Sequence, residues 1–417
     1  MARRWLQRVA QWPRRAWQCL FAGSWGLALC RALVVAALLG LGGLLFVAAG
    51  LMPIAASQGH WPITLALLQF TMRSSVRTST LGLRAPPLDD PALVLKGAGH
   101  YASGCLPCHG APGHERAMVV LQMVPEPPYL PADVSGLRPE EQFWIVKHGI
   151  KYTAMPAWPA PQRDDEVWAL VAFLQAQPRM DPERFRQLAY GDSAALATSA
   201  GTRLARPVVP IQPAALVDCA RCHGADGMGR GDGAFPRLAG LDRAYLLASL
   251  QAFARGERHS GIMQPIAAEL GEDEMRALAA HFATLPGSPP ATPRCADPAA
   301  VARGAALAAD GLTARRIPAC AQCHGPGSTA RNPLYPALAG QHADYLALQL
   351  ALFRQGRRGG TAYAGVMRAA ATALREDDIR DLALYYAALP GGCAAPAPAA
   401  AGSPTPASAA ARVKMRP

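Results

Sequence analysis

Between Ala32 and Gln58 no residue carries a formal charge, and Ala32 to Met52 is almost wholly apolar. A run of that length crosses the roughly 30 Å hydrocarbon core of a bilayer as one helix. Trp61 to Met72 is apolar again but too short to span, which leaves it either on the outer membrane surface or packed as a core helix. Beyond Arg84-Ala85-Pro86-Pro87 the pattern becomes amphipathic with helical spacing. Tyr245, Leu246, Ser249, Leu250 and Phe253 share one face, as do Met275, Leu278, Ala279 and Phe282, and Asp164 to Gln175 carries the stripe Val167, Trp168, Val171 and Leu174. Asp242 and Asp344 stand where caps would begin a helix, and Pro286-Gly287 and Pro390-Gly391 where helices would stop. A connector rich in Pro, Ala and Ser covers about Pro178 to Pro213, and the Ala, Pro and Ser tail after Cys393 cannot bury a core and is predicted to be disordered.

The 417 residues exceed what one core usually serves, so several domains of roughly 100 residues are expected. Abundant Ala, Gly and Pro with few aromatics suits small helical domains, and the predicted fold class is all-α. The net charge of +12 does not indicate nucleic-acid binding: six arginines from Arg3 to Arg31 carry half of it, and the rest is spread without a basic stripe. Those arginines precede the apolar run and place the N-terminus in the cytoplasm, with everything after about Ser57 on the far side. The competing reading is a cleaved signal peptide ending near Ala55-Ala56-Ser57, but the apolar run is longer than the roughly 7–15 residues of such a segment. Cys19 and Cys30, at this end of the chain, read as small apolar filler.

Three blocks open with one pattern, Cys-x-x-Cys-His: Cys105 to His109, Cys219 to His223 and Cys320 to His324. The second and third blocks also match through Pro236, Leu238, Ala239, Gly240, Phe253, Gly256 and Arg258 against residues 100 positions later, and through Leu278 and Phe282 against Leu382 and Tyr386 after a short insertion. They are a duplicated domain. Cys-x-x-Cys-His is the attachment signature of c-type haem. One helical turn sets both thiols beside the vinyl groups of a porphyrin, and the next residue offers imidazole to the iron. A zinc site wants four ligands and each block groups three; a redox Cys-x-x-Cys gives the following His no role and sits near a βαβ pattern that is missing here.

A six-coordinate electron-transfer haem needs a second axial ligand, and Met paired with His raises its potential. Met155 lies in a Pro-locked loop between two predicted helices, whereas Met118 and Met123 accompany Val119, Val120 and Leu121 and read as packing. In the second block Met263 occupies the loop after Arg255-Gly256-Glu257-Arg258; Met228 follows His223 too closely and Met275 is on a helix stripe. In the third block Met367 is the only Met between the motif and the tail, and it aligns with Met263. His100, His148, His259 and His342 are alternative sixth ligands. Arg255, Arg258, Arg357 and Arg358 read as haem-propionate partners or as solvated surface charge. Cys295 and Cys393 bracket the third block, where a disulfide would close a loop of about 100 residues and add up to roughly 4.7 kcal/mol.

On these motifs the chain resembles the class I c-type cytochromes from about Leu95 to Pro390. The second and third blocks resemble two-haem periplasmic cytochromes through Cys222-His223-Gly224, Cys323-His324-Gly325 and the Pro-x-Leu-Ala-Gly runs at Pro236 and Pro336. The first resembles cytochrome domains of dehydrogenase and oxidase subunits through Ile145 to Gly149 leading into Met155-Pro156-Ala157-Trp158. The second block departs in lacking a Gly-plus-aromatic first helix before Cys219, so that helix is either degenerate or supplied by Asp181 to Tyr190. The expected layout is a basic cytoplasmic segment (1–31), a transmembrane anchor (32–56), a membrane-proximal segment (57–90), cytochrome domains at 91–178, 214–290 and 291–393 with a linker at 179–213, and a tail (394–417). The resemblance implies three covalent haem c groups on Cys105, Cys108, Cys219, Cys222, Cys320 and Cys323, with iron held by His109 and Met155, His223 and Met263, and His324 and Met367. It implies a single-pass protein of a bacterial inner membrane with its haem domains in the periplasm. Its partners would be a redox donor and acceptor (a dehydrogenase, a quinol-oxidising complex or a terminal oxidase). It would carry electrons without acting on a substrate itself, the rival being a haem peroxidase with an open iron position.

Overall fold

The computed structural model describes residues 25–55, 57–133, 136–191, 213–231, 233–286, 297–325 and 332–389. The basic segment up to residue 24, most of the linker, Cys295, Cys393 and the tail lie outside these residues. Among the described residues every regular element is helical, apart from isolated bridges pairing Ala111 with His114 and Leu312 with Ile317. The fold is all-α, as the composition and periodicity predict.

The chain divides into two units. The first contains α1, Trp25–Ala48, whose 24 residues rise about 36 Å, enough to cross a bilayer core. None of its side chains is buried. The helix begins seven residues before the predicted anchor, so Arg31 falls within it, and it ends at Ala48 rather than near residue 56. Cys30, read as apolar filler, is instead disulfide-bonded. Helix α2, Pro62–Ser79, is longer than the apolar run Trp61 to Met72 that predicts it.

The second unit, residues 66–121 and 126–417, holds the three repeats. In the first, α3 (Pro91–Gly104) is started by Asp90, whose carboxylate accepts from Ala92 N at 2.9 Å, and runs into the short motif helix α4 (Leu106–His109). Helices α5 (Met118–Leu121), α6 (Leu130–Asp133), α7 (Pro139–His148) and α8 (Asp164–Ala176) follow. Helix α3 crosses α8 at Gly97, where an added Cβ would lie 2.0 Å from the Ala169 carbonyl oxygen and 2.6 Å from Phe173 Cβ. The close approach lets Tyr101 reach Gly110 O with its hydroxyl at 2.6 Å, tying α3 to the turn that follows His109. Met118 and Val119, read as packing, are 72% and 70% exposed: α5 is a single turn that buries only Val120.

Helix α9, Pro182–Tyr190, lies inside the predicted linker yet completes the first repeat. Its Phe185, Leu188 and Ala189 are buried in one cluster with Tyr101, Leu170 and Phe173. Burying a side chain of that size contributes roughly 1.5–3 kcal/mol. This helix is therefore not the missing first helix of the second repeat. That role falls to α10, Pro213–His223, which carries Cys219, Cys222 and His223 in its own last turns and packs through Ala215 and Leu216 against the cluster of Leu246, Leu278, Ala279 and Phe282.

Helices α11 (Arg243–Ala254), α12 (Met263–Ala268) and α13 (Glu272–Thr284) complete the second repeat. The third is α14 (Pro298–Asp310), α15 (Ala321–His324), α16 (Ala343–Arg354), α17 (Ala364–Thr372) and α18 (Glu376–Ala388). Asp242 caps α11 by accepting from Ala244 N at 2.7 Å. Asp344 sits in the first turn of α16, and His342 holds the cap position instead. Gly304 repeats the role of Gly97, with α18 so near that a Cβ would lie 2.1 Å from Asp381 O.

Candidate functional site

Each motif histidine is held in the same way. Its Nδ1 lies 2.9 Å from a proline carbonyl: His109 on Pro128, His223 on Pro236 and His324 on Pro336. A carbonyl only accepts, so Nδ1 carries the proton and Nε2 keeps its lone pair for a metal. Burial pulls His223 below the ordinary histidine range, against the opposing bond to Pro236, and does the same for His109 against Pro128. For these two the neutral imidazole, the form that ligates metal, is favoured. Pro236 and Pro336 stand out in the sequence as parts of a repeated run, but their carbonyl role does not, since a backbone acceptor leaves no residue-type signature.

The thiols of the three motifs are free rather than bridged. Burial pushes Cys105 and Cys219 up to about 12, and it also raises Cys222 and Cys320. A redox-active or zinc-binding pair draws on easily formed thiolate, which burial opposes at these four sulfurs. Such surroundings suit sulfurs destined to become neutral thioethers.

A cavity of about 410 Å³ reaches both duplicated repeats, lined by Cys219, Cys222, His223 and Met263 on one side and by Cys320, Cys323, His324 and Met367 on the other. In the third repeat His324 Nε2 faces Met367 Sδ at 3.4 Å. Met263, at the start of α12, lines the same cavity as His223, and Met155 is half-buried in the loop between α7 and α8, whose Ile150 N donates to Met155 O at 3.2 Å. The residues fit a covalently held metal macrocycle: paired sulfurs, an oriented nitrogen and an apolar wall. Among the described residues there is no cluster of three or more His, Cys, Asp and Glu side chains arranged for a bare metal ion.

The alternative histidines have other surroundings. His342 Nε2 donates to Met228 O at 3.0 Å, and His148 is exposed at the end of α7 beside Trp144. His100 is buried between Trp158 and Phe235, with ring centroids 6.3 and 6.5 Å away, and it lines the cavity of the later repeats rather than standing by His109. His259 lines that cavity too, and its carbonyl accepts from Arg163 at 2.8 Å.

Arg255 is exposed and pairs with Glu257, as solvated charge should. Arg258 is not surface charge: it is 7% exposed and lies over Phe253, and its guanidinium donates to Ser249 Oγ at 2.9 Å and to Tyr345 Oη at 3.2 Å. Arg358 lies over Phe353 in the matching position and donates to Tyr245 Oη at 3.1 Å. All four of these Arg and Tyr side chains line the shared cavity. Arg357 reaches the first repeat, donating to Gln162 O at 3.4 Å and lying 3.7 Å from Asp164. The first repeat also seats on the second motif, where Gly99 would bring a Cβ within 3.5 Å of Cys222 Sγ.

The family model described as Cytochrome c matches residues 214–286 and 301–389, and that described as Cytochrome C oxidase, cbb3-type, subunit III matches 92–174. The thiosulfate dehydrogenase electron acceptor of Stutzerimonas stutzeri (strain A1501) is 43% identical over 175 residues, covering 42% of this chain and 80% of its own. Cytochrome c4 of Pseudomonas aeruginosa is 36% identical over 168 residues, covering 40% of this chain and 81% of its own. The solved structure of reduced recombinant cytochrome c4 from Pseudomonas stutzeri aligns with 34% identity over 42% of this chain and 96% of that one, at a TM-score of 0.38. By its motifs, its helical repeats and these relatives, the chain belongs to the class I c-type cytochromes, electron-transfer proteins that bind haem c covalently.

Proposed function

We propose that this protein is a membrane-anchored relay carrying three haem c groups, which passes single electrons along its repeats on the periplasmic side of a bacterial inner membrane. Cys105 and Cys108, Cys219 and Cys222, and Cys320 and Cys323 would form the thioethers. His109, His223 and His324 would be the proximal ligands, and Met155, Met263 and Met367 the distal ones. The bound group supplies a one-electron couple between ferric and ferrous iron. The chain's residues orient the imidazoles through the proline carbonyls, line the duplicated repeats' cavity with apolar side chains, and in the third repeat set the Met367 sulfur facing His324 Nε2. The observation that carries this reading is the thrice-repeated bond from a motif histidine Nδ1 to a proline carbonyl at 2.9 Å beside a free cysteine pair. Helix α1, 24 residues long, apolar and wholly unburied, supports the anchor. Mass analysis of the mature protein tests the count: three added macrocycles that survive acid–acetone are expected, and replacing either Cys of one motif by Ser should remove one. A chain carrying two or none would overturn it.

A second reading is a cytochrome subunit docked to a dehydrogenase or a terminal oxidase. It draws on the relatives: one is an electron acceptor of thiosulfate dehydrogenase, and the family model matching the first repeat is that of cbb3-type oxidase subunit III. Co-purification of a stoichiometric partner after gentle detergent extraction would favour it over a free relay. Rapid carbon monoxide binding by the ferrous protein would instead revive the peroxidase alternative, which needs an open iron position.

A further inference from the structure

The loop that carries Met263 is held by the first repeat. Glu166 of α8 is 2% exposed and takes part in four contacts. Its Oε1 accepts from Ser260 Oγ at 2.6 Å and pairs with Arg163 Nη1 at 3.0 Å. Its Oε2 accepts from Gly261 N at 2.7 Å and from Trp158 Nε1 at 3.2 Å. The Ser260 hydroxyl, donating to Glu166, accepts in turn from Met263 N at 3.1 Å and Ile262 N at 3.3 Å. A continuous hydrogen-bond chain thus runs from a carboxylate of the first repeat to the amide of Met263 itself. Trp158 closes the loop from above: a Cβ on Gly261 would lie 2.2 Å from its indole Cε2. Arg163, fixed by Asp165 through two bonds of 2.8 Å, adds a donor to His259 O at 2.8 Å.

The duplication supplies an internal control. Aligning Met263 with Met367 puts Ala364 opposite Ser260, Gly365 opposite Gly261 and Val366 opposite Ile262. Ala364 has no hydroxyl to hold an amide, a Cβ on Gly365 would meet nothing within 4 Å, and Val366 is 57% exposed. The residues just before Met263 are therefore clamped from another repeat, whereas their counterparts form the first turn of α17, where the Met367 amide donates to Tyr363 O at 3.2 Å. A buried carboxylate is costly unless it is fully paired, so a site with four partners is a built one.

We propose that Glu166 and Trp158 of the first repeat are positioning residues for the second repeat's axial sulfur, so that docking of the first repeat sets the ligation and potential of the second haem. This rests on Met263 being that ligand. Trp158 lies three residues beyond Met155 in the first repeat's own methionine loop, so the clamp joins two ligand loops through one indole.

The test uses the full-length holoprotein, reduced, and reads the strongly ring-current-shifted methyl resonance that each iron-bound methionine gives by proton NMR, together with haem-resolved midpoint potentials. Met263→Leu identifies the second haem's signal by its loss; if all three signals survive it, the ligand assignment falls rather than the clamp. Glu166→Ala should move or broaden that signal alone and lower that haem's potential, since a weakened Met bond removes what raises it. Glu166→Gln, which keeps an acceptor oxygen, should restore it in part. Should Glu166→Ala prevent maturation, Gly261→Ala and Gly365→Ala form a matched pair: the first should displace the Met263 signal and the second should leave the Met367 signal in place. Wild-type signals and potentials in both Glu166→Ala and Gly261→Ala, or equal displacements in the two glycine variants, would overturn the proposal.

Discussion

Arg258 of the second repeat donates to the Tyr345 hydroxyl of the third at 3.2 Å, and Arg358 of the third returns the bond to Tyr245 of the second at 3.1 Å. The pairing has the two-fold character of an interface between duplicated halves: equivalent residues meet their counterparts' partners. Each guanidinium also lies 4.5 Å from the ring centroid of a phenylalanine of its own repeat. Hydrogen bonds to charged groups are worth about 1.5–3 kcal/mol, so Tyr345→Phe should destabilise the junction by roughly that amount and Tyr245→Phe by a similar one. Urea unfolding followed separately in the second and third repeats checks this: the single replacements should move the two transitions further apart than they lie in the wild type. A loss confined to one tyrosine would contradict the symmetry of the contact.

The periodic and punctuation signals in the sequence lead directly to the helices. The stripe Tyr245, Leu246, Ser249 corresponds to α11, Met275, Leu278, Phe282 to α13, and the acid run before Val167 to the start of α8. Each attachment motif takes the helical turn expected of it: the first and third form the single turns α4 and α15, and the second ends α10. What the sequence does not disclose is which helix serves which core. Phe185, Leu188 and Ala189 sit in a segment whose neighbours read as linker, and only their burial against Phe173 and Tyr101 assigns α9 to the first repeat. Contacts such as Glu166 with Ser260, 94 positions apart, have no periodicity to betray them. Arg258 likewise reads in sequence as either a haem-propionate partner or surface charge, because an arginine's burial depends on what packs over it.

Gly97 and Gly304 mark where α3 crosses α8 and α14 crosses α18, and their value lies in lacking a side chain. A methyl group at either would have to displace a carbonyl oxygen about 2 Å away. Overpacking of this kind costs typically about 1–3 kcal/mol and sometimes more. Gly97→Ala should therefore lower the first repeat's unfolding midpoint and Gly304→Ala the third's. Gly104, at the end of the same helix as Gly97, faces open space. Gly104→Ala should be neutral or stabilising by up to about 1 kcal/mol. Thermal melts of the three variants, read by near-ultraviolet circular dichroism, separate the crossing from a general dislike of alanine.

Asp378 links the loop before the third motif to α18. It receives Arg315 at 2.6 and 2.8 Å and the Arg375 amide at 2.7 Å. Arg315 first, and then the Arg375 amide, hold its carboxyl below the usual range against the opposing effect of burial. A depressed carboxylate contributes stability that is complete above its unfolded value, about 3.9 for Asp, and is lost as pH falls through the lower folded value. Wild-type stability of the third repeat should thus decline on acidification below about pH 4. Asp378→Asn should destabilise it at neutral pH by about 1–3 kcal/mol and flatten that acid dependence. An acid titration with the same slope in both proteins would assign the decline to other carboxylates.

Gln341 is the residue at which the duplicated repeats differ most informatively. In the second repeat the matching position after Leu-Ala-Gly is Leu241, an apolar side chain packed on its own core. In the third, Gln341 is 6% exposed and pairs with the backbone of Arg237 in the second repeat, accepting from its N–H at 3.0 Å and donating to its carbonyl at 2.9 Å. The side chain imitates one rung of a strand ladder and satisfies a backbone donor and acceptor at the half-buried junction. Each such group left unpaired costs about 1–3 kcal/mol. Gln341→Leu, which installs the sister repeat's residue, should therefore weaken the junction by several times RT although its volume is nearly kept. Gln341→Glu should retain only the accepting half and fall between, with its carboxylate turned against the Arg237 carbonyl. Amide hydrogen exchange reads the effect locally: the Arg237 amide should lose protection in Gln341→Leu while those within α11 and α18 keep theirs, and unchanged protection at Arg237 would show that the bond contributes nothing to holding the repeats together.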